Sequence, residues 1–408
     1  MAVTDELATD TGDRNDDVDP DTARVEALID QLLAEHPPAT TDDRTFLGAQ
    51  YDLGLAWVHF PVGFGGLEVS PKLQRNVISR VSRAGGPIGG QLNPIGYGMC
   101  GPAVVVHGTD EQKHLLSALF DNTDIWCQLF SEPGAGSDVA SLSCKAERDG
   151  DEWILNGQKV WTTLAHISNY GLIIARTDPE QPKHRGMTAF IVDMHAPGVE
   201  VRPLRQITGE AEFNEVYFTD VRVPDSMRVD EVGRGWGVSI TTLMNERVSI
   251  GGGTPPRNSG PIGQLLDLWK KTPGTTPVQR DQFMQLWSQA EINRLTNIRA
   301  SQNRKMGTPG PEGSIAKLAM ADLNKLIYSF AVDLLGASGM LFESYAMHQP
   351  KTALFGDDIS KNFLRARANS IEGGTTEVMK NILGERVLGL PGDVRVDKEL
   401  PWSQVPRS

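Results

Sequence analysis

The chain has 408 residues, of which 39% are apolar and 22% charged, and a formal charge of −13. That is the profile of an ordinary soluble protein with room for two or three domains, and its acidity argues against nucleic acid as a partner. No apolar run approaches the roughly 20 residues needed to span a bilayer, and Cys100, Cys127 and Cys144 are odd in number and not in metal spacing. A disulfide framework and a metal site are therefore excluded, and a reducing cytoplasm is expected.

Residues 1–21 are acidic and polar and lack the order of a secretory signal, which predicts a disordered lead-in. Residues 22–124 read helical. TARVEALIDQLLAEH and PKLQRNVISRVSRAG carry apolar residues at three- and four-residue intervals, and Thr109 is a candidate N-cap for GTDEQKHLLSALF. From 125 to 232 the pattern becomes short β-branched and aromatic runs: LIIAR, MTAFIVDM, VEVRPL and NEVYFTDVRV. EWILNGQKVW adds an Asn-Gly turn signal between alternating segments. The helical period returns over 233–391, in helices long enough for a four-helix bundle. Gly- and Pro-rich breaks fall at 252–263 and 271–277, and residues 392–408 form a tail.

The densest chemical signal is QLFSEPGAGSDVASL (128–142). Its glycines let a ligand approach the backbone closely, and its hydroxyls and free N–H groups suit ring heteroatoms or phosphate. A lone GAGS would be a surface turn, and neither it nor GRGWG (233–237) fits the G-x-G-x-x-G dinucleotide fingerprint. The stretch as a whole, however, closely resembles the acyl-CoA dehydrogenase signature. NGQKVWTT, GEAEFNEVYFTDVRVP, GRGW, LMNERVSIGG and IEGGTTEVMKNILGERVLG extend the resemblance across roughly residues 25–391. It implies an α+β chain with an N-terminal helical domain, a middle β-barrel-like domain and a C-terminal four-helix bundle, holding noncovalent FAD. The implied reaction oxidises an acyl-CoA to its trans-2-enoyl-CoA and passes electrons to electron-transferring flavoprotein. The implied assembly is a homotetramer or homodimer, or a mixed tetramer with a related subunit.

Carried over by position, the resemblance implies that Gln128, Phe130, Ser131, Gly136, Ser137, Trp161, Thr163, Thr375 and Glu377 hold the cofactor. It likewise implies Ser137, Met244, Arg247 and Gly373 for the substrate. The residue types suit those roles, since an isoalloxazine needs a flat apolar wall such as Trp161 and fixed donors such as Ser131 and Thr163. Two departures stand out. Arg280-Asp281-Gln282-Phe283 is followed by Met284 where the family carries glycine, and Asp333 stands where it carries a glutamine that helps hold the adenine half.

The reaction needs one carboxylate as base, in a pocket dry enough to tune it. Many relatives place it directly before Gly-Thr-Ser, but here that position is Gly373, and Glu372 is one residue early. A second family type, which includes isovaleryl- and long-chain enzymes, places the base on the first bundle helix before an arginine. Leu243-Met244-Asn245-Glu246-Arg247 has that arrangement, so Glu246 is the expected base and Glu372 the alternative. Glu372 alone could be a capping acid near a helix N-terminus, and Glu246 alone an ion-paired helix acid. Two further readings keep the scaffold: an acyl-CoA oxidase or flavin monooxygenase, and a non-catalytic subunit of a mixed oligomer.

Overall fold

The computed structural model describes residues 19–251, 256–305, 312–342, 344–351, 358–394 and 396–406. The acidic lead-in up to residue 18 and the stretch 252–255 of the first glycine-rich break lie outside them. The chain divides into two compact units, one ending at Ile88 and the other beginning at Gly89.

In the first unit, α1 (Pro20–Glu35) starts where Asp19 accepts the amide of Thr22 and Pro20 sets the first helical φ. Its buried stripe of Val25, Ile29 and Leu32 meets residues of α2 (Asp43–Asp52) and α3 (Gln74–Arg83), with Phe46, Val77 and Val81 in the same core. Arg80 of α3 ties back to Glu26 and Asp30 of α1, each at 2.5 Å.

The second unit opens with a π-helical turn over Gly96–Cys100 that runs into α4 (Gly101–His107). Next come α5 (Asp110–Lys113) and α6 (Leu116–Phe120); Thr109 and Gln112 form the capping box that starts α5. The strands are β1 (Trp126–Leu129), β2 (Lys145–Asp149), β3 (Glu152–Thr163), β4 (Tyr170–Arg176), β5 (Met187–Asp193), β6 (Val199–Pro203), β7 (Phe213–Pro224) and β8 (Arg228–Val229). They form one mixed sheet in the order β6-β7-β3-β2-β4-β5-β8, with β1 added in parallel to β4. Among the described residues β6 and β8 end the sheet without pairing to each other, so the barrel-like middle domain that the resemblance implies is an open sheet, within the fold class expected. β8, with two residues, is too short to seal that edge.

One local expectation fails. Asn156-Gly157 does not turn the chain; β3 runs through it, and the register with β7 shifts there as a bulge. Gly157 has φ +148°, and a Cβ on it would come within 2.7 Å of the Cys144 backbone. The Asn156 side chain bonds Asp220 across the sheet in both directions, at 3.0 Å each way. Asn-Gly thus serves a bulge through contacts distant in sequence, where local chemistry alone reads as a hairpin.

The helical region comprises α7 (Gly235–Gly251), α8 (Pro261–Lys271), α9 (Pro277–Lys305), α10 (Glu312–Leu335), α11 (Ile359–Arg365) and α12 (Thr376–Arg386). Leu265, Phe283, Leu286, Ile327, Phe330 and Ala331 form the core shared by α8, α9 and α10. The tail returns to the β domain. Trp402 stacks 4.9 Å from the Arg176 guanidinium and donates to the Ser141 carbonyl, while Lys183 bridges Asp138 and Asp397.

Candidate functional site

The glycine-rich turn is fastened from beneath by a buried ion pair. Lys159, fully buried in β3, donates to Glu132 at 2.8 Å, to the Phe130 carbonyl at 3.1 Å and to the Ile174 carbonyl at 2.8 Å. Glu132 also accepts from the Ser143 amide and hydroxyl and from the Cys144 amide. Burial works to raise this carboxyl, but Lys159 and the backbone donors outweigh it and hold it below the usual carboxylate range. The outer side of the turn is open: a Cβ on Gly134 or Gly136 would meet nothing within 4 Å, and Ser137 is exposed. Gln128 is half-buried on β1, Phe130 is buried, and the Ser131 carbonyl accepts the Val160 amide at 2.9 Å.

Trp161 is the exception to a well-packed strand. It lies 57% exposed at φ +60°, inside the second bulge of β3, between Lys159 and Thr162. A bulky residue held in the left-handed region and turned outward is local strain that tertiary contacts must maintain. The ring of Phe213 meets it edge-on at 5.9 Å. Thr163, half-buried, is paired with Phe213 at the end of the β3–β7 ladder.

From Phe213 a run of contacts leads into the helical region. The Arg365 guanidinium lies 5.6 Å from its ring and 3.5 Å from Glu212, and grips Glu372 with two bonds of 2.7 and 3.1 Å. Asn369 adds a bond of 2.8 Å to the same carboxylate. Lys361 reaches Glu210 at 2.5 Å, so α11 is ionically stitched to the segment leading into β7. Beyond Glu372 the chain passes through Gly373 and Gly374 at φ +62° and +92°. Thr375 then N-caps α12, accepting the Val378 amide at 3.2 Å; Glu377 follows, exposed, in the first turn.

Glu246 is half-buried in the last third of α7, beside the exposed Met244. Arg247 follows in that helix, and its side chain lies outside the described residues. His107 sets the register of α7 against α4, with Nδ1 2.8 Å from Asp230 and Nε2 2.8 Å from the Thr241 hydroxyl. Lys317 of α10, only 5% exposed, donates to the Gly374 carbonyl. Its charge is felt by Glu372, Asp322, Glu246 and Glu377, yet burial is the larger effect and moves it below the usual lysine value. Lys317 and Arg365 escape sequence reading because each sits in helical sequence that looks like surface.

The residues fit a flavin. An outward indole provides an apolar wall and an open glycine turn admits close approach. Among the described residues the buried hydroxyls of Thr162 and Thr376 have no hydrogen-bond partner, so each is an acceptor and donor that a bound group could satisfy. The two departures from the family pattern occupy helices. Phe283 is buried in the bundle core, stacked on Trp269 at 5.1 Å, while Arg280 is exposed on α9; Asp333 lies in the last turn of α10.

The chain is similar to known proteins over most of its length. Residues 127–221 match the acyl-CoA dehydrogenase middle domain and residues 233–388 its C-terminal domain. Acyl-CoA dehydrogenase IpdE1 of Mycobacterium tuberculosis is 34% identical over 84% of this chain and 86% of its own length. FadE34 of the same organism is 37% identical over 83% of this chain but only 45% of its own length. Among solved structures, the Tcur3481–Tcur3483 steroid ACAD superposes with a TM-score of 0.69 at 26% identity, covering 91% of this chain and 98% of that one. The ChsE4–ChsE5 complex from Mycobacterium tuberculosis gives 0.67 at 26% identity, over 92% and 99%. With its middle and C-terminal domains matched and a relative above 30% identity over most of its length, this chain belongs to the acyl-CoA dehydrogenase family.

Proposed function

We propose that this member of the family is an FAD-dependent dehydrogenase that desaturates the α,β bond of an acyl-CoA, with Glu246 as the base. When bound, FAD supplies the acceptor for the hydride that leaves the β-carbon. Trp161 and the 131–137 turn would hold the flavin, with Thr163, Thr375 and Glu377 completing its surroundings, and Glu246 would take the α-proton onto a carboxylate oxygen.

The observation that carries the assignment is the state of the rival carboxylate. Both oxygens of Glu372 are engaged by Arg365 and Asn369, and Gly373, the other possible base position, has no side chain and sits at a left-handed φ. Glu372 is thereby an anchor between α11 and the 371–375 loop. Glu246→Gln keeps shape and loses the base, so flavin reduction by acyl-CoA in anaerobic stopped flow should slow at least about a hundredfold. Glu372→Gln should stay within roughly tenfold. The reverse ranking would sink the assignment.

A bulky, steroid-sized acyl group is the substrate class we favour. A relative of known structure is named a steroid ACAD, and the π-turn over Gly96–Cys100 leads into α4, against α7, the helix that carries the proposed base. π-turns of this kind recur at functional sites. Reduction rates across acyl-CoA thioesters of increasing bulk test this. Electron-transferring flavoprotein is the proposed electron acceptor. A mixed oligomer with a related subunit is the proposed assembly, supported by the ChsE4–ChsE5 likeness and by Asp333, whose charge opposes a diphosphate.

A further inference from the structure

We infer that Trp402 and Lys183 are positioning residues for the acyl-CoA: with them the C-terminal tail straps the 138–142 segment and so fixes how Ser137 faces the substrate. The inference rests on the proposed reading of this chain as an acyl-CoA dehydrogenase with Ser137 at the substrate. It starts from an asymmetry in the glycine-rich turn. The inner half is fastened from within the β domain, where Lys159 holds Glu132, and Glu132 and Ala135 exchange two backbone bonds of 3.0 Å. The outer half, residues 136–138, is exposed and continues into the single helical turn Val139–Ser141.

That helical turn is gripped by two side chains that stack on each other. Arg176 of β4 donates to the Ala140 and Leu142 carbonyls at 2.6 and 3.2 Å. Trp402 of the tail donates to the Ser141 carbonyl between them at 3.2 Å. The indole lies 4.9 Å from the guanidinium, so three successive carbonyls face one cation–π pair. A second link is ionic. The largely buried Lys183 reaches Asp138 at 2.9 Å and Asp397 of the tail at 2.8 Å. The Ser141 hydroxyl donates to the same Asp138 oxygen at 2.6 Å.

The tail is itself seated on the 177–185 loop. The Trp402 and Ser403 amides donate to the Gln181 and Pro179 carbonyls, each at 2.9 Å, and Pro401 pairs with Pro182 as an antiparallel bridge. Turn, loop and tail are thus joined pairwise. A contact residue binds its ligand more tightly when its backbone is held beforehand, because the ordering cost is then not charged to the complex. Ser137 directly precedes Asp138, on which the Lys183 and Ser141 contacts converge. Loosening the strap should therefore weaken acyl-CoA binding more than it slows the chemistry, whose proposed base lies on α7.

The test is anaerobic stopped-flow reduction of the FAD-loaded full chain. The probe is octanoyl-CoA or the CoA thioester of a steroid carboxylic acid, whichever reduces the wild type faster. The concentration dependence separates the dissociation constant from the limiting rate. Trp402→Ala and Lys183→Met should each raise the dissociation constant about three- to tenfold and leave the limiting rate within about twofold. Trp402→Phe keeps a ring over Arg176 and Lys183→Arg keeps the ionic bridge, so each should lie nearer wild type than the harsher change at its position. Hydrogen exchange, read without substrate, should quicken in Trp402→Ala at the Ser141 and Leu142 amides, which donate to the Asp138 and Val139 carbonyls. Wild-type dissociation constants in both Trp402→Ala and Lys183→Met overturn the inference even where exchange quickens, because the tail would then only staple the β domain. A loss confined to the limiting rate overturns it too. A wild type that neither thioester reduces removes the proposed function first, and the inference with it.

Discussion

Replacing Lys159 by Met isolates the contribution of the ion pair beneath the flavin turn. The methionine thioether occupies similar volume, so the change is electrostatic and polar. It strips the Phe130 and Ile174 carbonyls of their donor and leaves Glu132, 6% exposed, without its counter-charge. Each unsatisfied buried acceptor costs about 1–3 kcal/mol. The stranded carboxylate keeps three donors from Ser143 and Cys144, which limits its own penalty. Breaking a buried pair from one side typically costs about 3–5 kcal/mol, and that is the expected loss for Lys159→Met in urea unfolding. Glu132→Gln should fall in the same range, because an amide oxygen cannot accept from all four donors now aimed at the carboxylate. The double variant should be less damaging than the sum by at least about 1 kcal/mol, since each single change leaves a charge that the other removes. Both single variants should also retain less FAD, the turn having lost its anchor. A Lys159→Met protein within about 1 kcal/mol of wild type, or strict additivity in the double variant, would refute the reasoning.

Trp161→Ala should leave unfolding nearly unchanged, because the side chain is 57% exposed, but weaken FAD binding by about 3- to 10-fold, the equivalent of one aromatic stacking contact; an unaltered Kd in an FAD titration would remove Trp161 from the cofactor wall. Asp225 is held down to about 2 by Arg228 and Trp153, against a usual 3.8. A depressed folded value means stability that is present above pH 3.8 and lost as pH falls toward 2, at most about 2 kcal/mol and less after solvent screening. Asp225→Asn should therefore destabilise at pH 6 and converge on wild type near pH 2, and an equal gap at both pH values in denaturant titrations would contradict this.

What the sequence made legible was governed by local pattern. The periodicity of residues 22–35 gives α1, Thr109 gives the capping box, and the switch to alternating β-branched runs marks the sheet. The turn at 131–138 was legible as a turn, and its chemistry only through the resemblance of the whole stretch to the family signature, since closely spaced glycines and hydroxyls alone read as a surface turn. What escaped depended on partners far along the chain. Asn156-Gly157 has the same local chemistry in a hairpin and in a bulge, and only Cys144 and Asp220 decide between them. Lys317 sits in SIAKLAMADL, where a lysine reads as solvent-facing, and its burial is imposed by the loop at Gly374. Trp402 lies in a stretch that reads as a loose tail, yet Arg176, 226 positions earlier, gives it a cationic face to stack on.

The proposed division of labour between the two glutamates rests on those distant contacts. A general base needs an oxygen free to take a proton, and it must be able to change charge without losing its position. Glu372 fails the second condition. Its charge holds Arg365, Arg365 also faces Glu212 and the Phe213 ring, and Phe213 packs on Trp161. Neutralising Glu372 in each turnover would release the clamp joining the β domain to α11 and loosen the wall on which the flavin is proposed to rest. Glu246 lies on α7, a helix whose register is fixed independently by His107. On the proposed reading, the charge change of the reaction falls on α7, and the Glu372 carboxylate stays ionised in its clamp. With anchor and proposed base on different elements, the 371–375 loop passes through two left-handed glycines close to Lys317, a path that a side chain at position 373 would strain.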